Sequence, residues 1–153
     1  MEIKISPNQR GFNLLELMIV ISVIALLISV SGYAWQVMVR RGNEAAAITH
    51  LTKINTAQAY FASRRKGTFA KGFVELVRTN LLERSFRKEV PVVDGYRFTL
   101  KRLSNRSFEL HAEPESRGLI SGTGTRSYYL DSSQHAITYT DEERPATAED
   151  EEL

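Results

Sequence analysis

From Leu17 to Val39 the chain has no charged residue, an apolar run of 23 positions. Roughly 20 such residues span a bilayer as a helix. Counted from Phe12 to Val39, the run would be on the order of 40 Å long at the helical rise. One ionisable side chain interrupts it, Glu16, five positions in. Past Arg41 the pattern changes. Ala47, Leu51, Ile54, Gln58, Phe61 and Ala62 recur at helical spacing, with Asn43, Glu44, His50, Lys53 and Asn55 off that stripe. The pattern predicts one helix from Phe12 to about Arg65, apolar all round in its first half and amphipathic in its second. Lys66-Gly67-Thr68 ends it. Gly32 and Gly42 are its weak points, each costing about 1 kcal/mol relative to alanine, and Ser31-Gly32 or Gly42 is where the helix is expected to bend or melt on assembly.

Further along, Phe73, Leu76, Val77 and Leu81 predict a short helix over 73–82, followed by a charged connector from Glu83 to Glu89. Pro91 and Asp94-Gly95 mark a turn. The period then becomes two: Tyr96, Phe98 and Leu100 alternate with Arg97, Thr99 and Lys101, and Phe108 and Leu110 with Glu109 and His111. Pro114 to Gly124 reads as a turn-rich loop, and 127–131 and 136–140 as the last strands. The expected class is α+β, a long N-terminal helix packed against a small antiparallel sheet of about four strands. The expected divisions are a leader over 1–11, a transmembrane and assembly helix over 12–40, a globular head over 41–140, and an acidic, disordered tail over 141–153.

The net charge of +2 hides an asymmetry. From Arg64 to Arg106 there are twelve Lys/Arg against four Asp/Glu, and from Asp141 to Leu153 seven acids against Arg144 alone. Attraction within the head or between copies follows from such a division. Arg40 and Arg41, beyond the apolar run, oppose the usual charge rule for orientation. The absence of cysteine excludes a disulfide framework and a thiolate metal site. Tyr33 and Trp35, near the end of the run, suit a membrane interface or packing between helices.

The junction before the apolar run is unlike that of an ordinary secretory signal, whose small-residue cleavage site follows the apolar stretch. Here Gly11 precedes it. Cutting between Gly11 and Phe12 would leave the membrane segment on the product, with Glu16 one turn from the new amino terminus. Residues Gly11 to Val20, GFNLLELMIV, resemble the cleavage and methylation motif of type IV prepilins, matching it at Gly11, Phe12, Leu14, Leu15, Glu16, Leu17, Met18, Ile19 and Val20, with Asn13 in place of the usual threonine. The resemblance implies that a prepilin peptidase cuts after Gly11 and N-methylates Phe12, and that Glu16 docks each subunit against a neighbour's amino terminus. It implies a structural subunit of a type IV pilus-like filament, inserted in the inner membrane as a single-pass protein and then extracellular. Its partners would be copies of itself, the peptidase, the assembly platform, minor pilins and, before assembly, membrane lipid. A physical reason supports Glu16: a buried carboxylate and a buried ammonium are tolerated only as a pair, and removing one partner costs roughly 3–5 kcal/mol. A type II secretion pseudopilin or a minor pilin is the alternative within that architecture. The Asp-Pro-Trp-Gly type signature of the major pseudopilin is absent, Trp35 being the only tryptophan. The run from Thr125 to Thr147 is similar to the C-terminal end of cysteine-free pilins, with Gln134-His135 where a glycine is usual.

Few residues suggest other chemistry. His50, His111 and His135 have no ligand spacing and are expected at the surface. Asp131 with Ser132 and Ser133 reads as turn capping rather than a calcium cradle, which needs six to eight oxygens. No catalytic residues, metal or cofactor are expected, and no enzyme reading has residues to stand on. Arg64, Arg65, Lys66 and Lys71, interleaved with Phe69 and Phe73, are candidates for contact with single-stranded nucleic acid. They support a rival of another class, a membrane-anchored DNA- or ligand-binding module. Solvated charges at a helix end are the commoner explanation.

Overall fold

In a computed structural model of the protein, residues 13–118, 121–133 and 136–153 are described. Gly11, Phe12 and His135 lie outside them. The elements are α1 (Leu14–Arg64), α2 (Phe73–Arg78), a 3₁₀ turn (Arg84–Phe86), and β1 (Val92–Val93), β2 (Tyr96–Ser104), β3 (Ser107–Pro114), β4 (Ser127–Asp131), β5 (Thr138–Thr140) and β6 (Glu151–Glu152). The six strands form one antiparallel sheet in chain order. The chain divides into two units, Met1–Trp35 and Gln36–Leu153.

Local chemistry sets the helix ends. Asn13 caps α1: its side-chain Oδ1 accepts from the Leu15 N–H at 3.3 Å, and its carbonyl from the N–H of Glu16 and Leu17 at 2.9 and 3.1 Å. The far end stops where Lys66 and Gly67 take positive φ, 55° and 81°. The Gly67 N–H then reaches the Ala62 carbonyl at 2.9 Å, closing the last turn. In the single copy α1 runs through Ser31, Gly32 and Gly42; the bend or melting expected there belongs to assembly. Asn80, at φ 55°, stops α2 by the same device, with Leu81 N–H on the Leu76 carbonyl at 3.0 Å. The second helix is therefore shorter than the expected 73–82.

In the second unit, the helical stripe is buried as its spacing predicts: Ala47, Leu51, Ile54, Gln58, Phe61 and Ala62. It shares one core with Phe98, Leu100, Phe108, Leu110, Ala112, Tyr128 and Leu130 from the sheet. Gln58 fits this dry setting because both its amide atoms are used. Its Oε1 accepts from the Ala70 N–H at 2.8 Å and its Nε2 donates to the Ala70 carbonyl at 3.3 Å.

Four expectations are corrected. The sheet has six strands, not about four, because β1 and β6 are two residues each and too short to show a period. The tail over 141–153 is ordered. Ala146 is fully buried, β6 pairs with β5, and Leu153 N–H donates to the Ile137 carbonyl at 2.9 Å. The charged connector buries Phe86. His50 is buried, not exposed, with Phe86 and Phe98 edge-on to its ring and Nε2 2.8 Å from Asp94 Oδ2.

Candidate assembly surface

Along residues 14–28 the apolar side chains are 44–75% exposed, on all sides of the helix. A soluble monomer rarely leaves so large a contiguous apolar surface uncovered. α1 is also long and apolar enough to cross a membrane. The polar side chains in this stretch bond within the helix: Ser22 Oγ donates to the Met18 carbonyl and Ser29 Oγ to the Leu26 carbonyl, both at 2.7 Å. Such back-bonding lets a hydroxyl sit in hydrocarbon without an unmet donor. Glu16 lies in the first turn of α1, exposed among leucines and methionine. There its charge favours the positive end of the helix dipole. In hydrocarbon it would still need a cationic partner.

Gln36 onward belongs to the head unit, and residues 40–44 hold its long loop. Arg40 donates from Nε to the Gly122 carbonyl at 3.2 Å and from Nη2 to the Gly118 carbonyl. Asn43 Nδ2 donates to the Thr123 carbonyl at 2.8 Å, and Glu44 Oε1 accepts from the Thr125 N–H and hydroxyl at 2.9 and 2.7 Å. Arg40, which opposed the orientation rule, thus has a structural use. Arg117 reaches the carbonyls of Thr125 and Glu142 at 3.0 and 2.8 Å and the Ser127 hydroxyl. No sequence signal marked this arginine, because its partners lie 8 to 25 positions away.

The four cations expected to meet nucleic acid are all exposed. The Arg64 guanidinium lies 5.0 Å from the Tyr60 ring centre and that of Arg65 5.3 Å from Phe61. The interleaved aromatics turn inward: Phe73 is buried and Phe69 packs edge-on against Phe108 at 4.8 Å. Neither offers the open face that base stacking requires. Asp131 Oδ1 accepts from the N–H and hydroxyl of Ser133, both at 2.6 Å, a capped turn. His111 packs on Tyr129 at 5.0 Å. Among the described residues, no three His, Asp or Glu side chains gather as a metal site would need.

Three acids of the tail, Glu142, Asp150 and Asp141, are paired with arginines. Arg144 pairs with Glu142 at 2.6 Å and with Asp150, whose Oδ2 also accepts from the Thr147 N–H at 2.7 Å. Asp141 pairs with Arg126 at 2.9 Å. Among the described residues no ion pair joins the basic stretch over 64–106 to the tail; Lys101 meets Glu109 at 3.2 Å, and from α1 Lys53 meets Glu83 at 3.4 Å and His50 meets Asp94 at 2.8 Å.

Residues 6–32 match the family model described as the prokaryotic N-terminal methylation motif. The match is consistent with the type IV pilin or pseudopilin family and supports a pilin-like or pseudopilin protein. No curated protein and no solved structure matches the chain.

Proposed function

We propose that this protein is a subunit of a type IV pilus-like filament, held in the inner membrane by residues 12–40, cut after Gly11 and methylated on Phe12, and polymerised through α1. What carries the reading is the fully apolar, uncovered surface of residues 14–28 with one carboxylate, Glu16, at its head. Such a surface is stable in lipid, and stable again when neighbouring copies replace the lipid. Transfer from one to the other gains little from water exclusion, so specific pairing must direct it. The Phe12 amine, cationic near pH 7, meeting Glu16 of a neighbour supplies that pairing and sets the register. A fibre also leaves each head outside, where it decides what the fibre touches.

Mass spectrometry of the mature protein tests the processing step, with a chain beginning at methylated Phe12 expected. A product still beginning at Met1 would defeat the reading. Deleting the gene separates the pilus from the pseudopilus: loss of surface fibres supports the first, intact fibres with lost secretion the second.

A further inference from the structure

One concavity in the head is cationic without compensation. Arg78 ends α2, Arg84 begins the 3₁₀ turn and Arg87 follows it, and the three line a cavity of about 520 Å³ together with Val74, Val77, Asn80 and Leu82. Among the described residues no acidic side chain lines it. None of the three arginines has an ion-pair partner among the described residues. The 3₁₀ turn packs on both α2 and β1, which places this cavity at the β1 edge of the sheet.

The opposite edge carries the complement. Within the tail, Asp141, Glu142 and Asp150 are held by arginines, and the Glu151 carboxylate by the Tyr139 hydroxyl. Glu149 and Glu152 have no such partner among the described residues, and Leu153 beside them is 60% exposed. A guanidinium fork suits a carboxylate, and the side chains of Val74, Val77 and Leu82 beside it offer a leucine apolar contact. Within one copy the two patches cannot meet, since β6 is docked on β5 and five strand spacings of about 4.8 Å separate the edges by roughly 24 Å.

We infer that the Arg78–Arg84–Arg87 cavity receives the acidic β6 end, Glu149 to Leu153, of a second copy of this chain. The contact joins unlike surfaces, so it can repeat from copy to copy, and with a rotation that does not close into a ring it builds a helical fibre. The inference rests on the filament reading for its repeat. A nucleic acid is a poorer occupant, because no aromatic ring among the described residues lines the cavity for stacking.

The absence of cysteine makes the test direct. In full-length protein expressed in its host, Arg87→Cys with Glu152→Cys, and separately Arg84→Cys with Glu149→Cys, are treated with mild oxidant. A ladder of covalent multimers is expected from at least one double variant, monomer from each single cysteine, and dimer when the two matching singles are co-expressed. Adding Arg78→Glu to a laddering pair should lower the multimers roughly tenfold, because like charges then face each other. No ladder from either pair overturns the inference, as does a ladder indifferent to Arg78→Glu. Fibres that form without a ladder leave the filament reading standing and remove only this contact. A ladder from cells without fibres keeps the contact and removes the filament. Salt-sensitive retention on DNA that is lost with Arg84→Glu/Arg87→Glu, without any ladder, assigns the cavity to a phosphate-bearing polymer and overturns the second-copy assignment.

Discussion

Two glycine-to-alanine substitutions in the head should have opposite signs. At Gly42, within α1, an added Cβ meets nothing within 4 Å. Gly42→Ala therefore removes only the conformational cost of a helical glycine, a gain of about 0.5–1 kcal/mol. At Gly124 the same atom would lie 2.1 Å from Tyr96 Oη and 2.7 Å from its Cζ. The Gly124 backbone is not among the positive-φ positions, so the penalty comes from contact alone. Tyr96 is fully buried and donates its hydroxyl to the Arg126 carbonyl at 3.0 Å, so the ring cannot retreat without breaking that bond. Overpacking costs about 1–3 kcal/mol and a lost hydrogen bond about 1 kcal/mol, so Gly124→Ala should destabilise the head by about 2–4 kcal/mol, a fall in Tm of roughly 10 °C. Thermal unfolding of the full-length protein in detergent, followed by near-ultraviolet circular dichroism, measures both variants. Tyr96→Phe removes the nearest contact atom and should recover about 1 kcal/mol of the Gly124→Ala penalty in a double-mutant cycle. A Gly124→Ala protein within about 0.5 kcal/mol of the parent, below the least cost expected from overpacking, would refute the argument, as would purely additive effects of the two changes.

Glu16→Ala should abolish fibres while leaving membrane insertion intact, since an apolar substitution only improves the span; electron microscopy and membrane fractionation read the two effects. Asp94→Ala removes the partner of buried His50 and places alanine at φ 48° in the β1–β2 turn, so urea unfolding should show a loss of about 1–3 kcal/mol. Burial, then the nearby Asp131, pushes the Tyr129 phenol up to about 12, and burial also raises Tyr96 and Tyr128. A raised folded value means the native state holds these protons more tightly. Their contribution is complete below the ordinary phenol value near 10 and is lost as pH rises toward 12, so denaturant midpoints should fall across that window. The Arg144 guanidinium, then the Thr147 N–H, hold the Asp150 carboxyl well below the usual carboxylate range. Its contribution to docking the tail is thus present above about pH 4 and lost only in stronger acid. Asp150→Ala should free β6 at neutral pH, seen as faster amide exchange at Tyr139, whose N–H faces β6, and faster cleavage by a glutamate-specific protease.

Much of this organisation was legible in the residues alone. The uncharged run after Glu16 and the stripe from Ala47 to Ala62 are local patterns. A helix repeats its own geometry every 3.6 residues, so one face can be read without knowing what covers it. The alternation in β2 and β3 was readable for the same reason. The tertiary structure alone decided what depends on partners distant in the chain. His50 is buried because Asp94 and Phe98 are brought to it, and Arg40 is used because a loop 78 positions later folds back onto it. The tail is ordered because Arg144 finds Asp150 while β6 finds an open edge on β5, contacts for which two-residue strands carry no period. Arg78, Arg84 and Arg87 read as scattered charges until the Asn80 turn and the 3₁₀ turn set them around one cavity. Periodicity reports which face of an element is covered, and only chain closure determines what covers it.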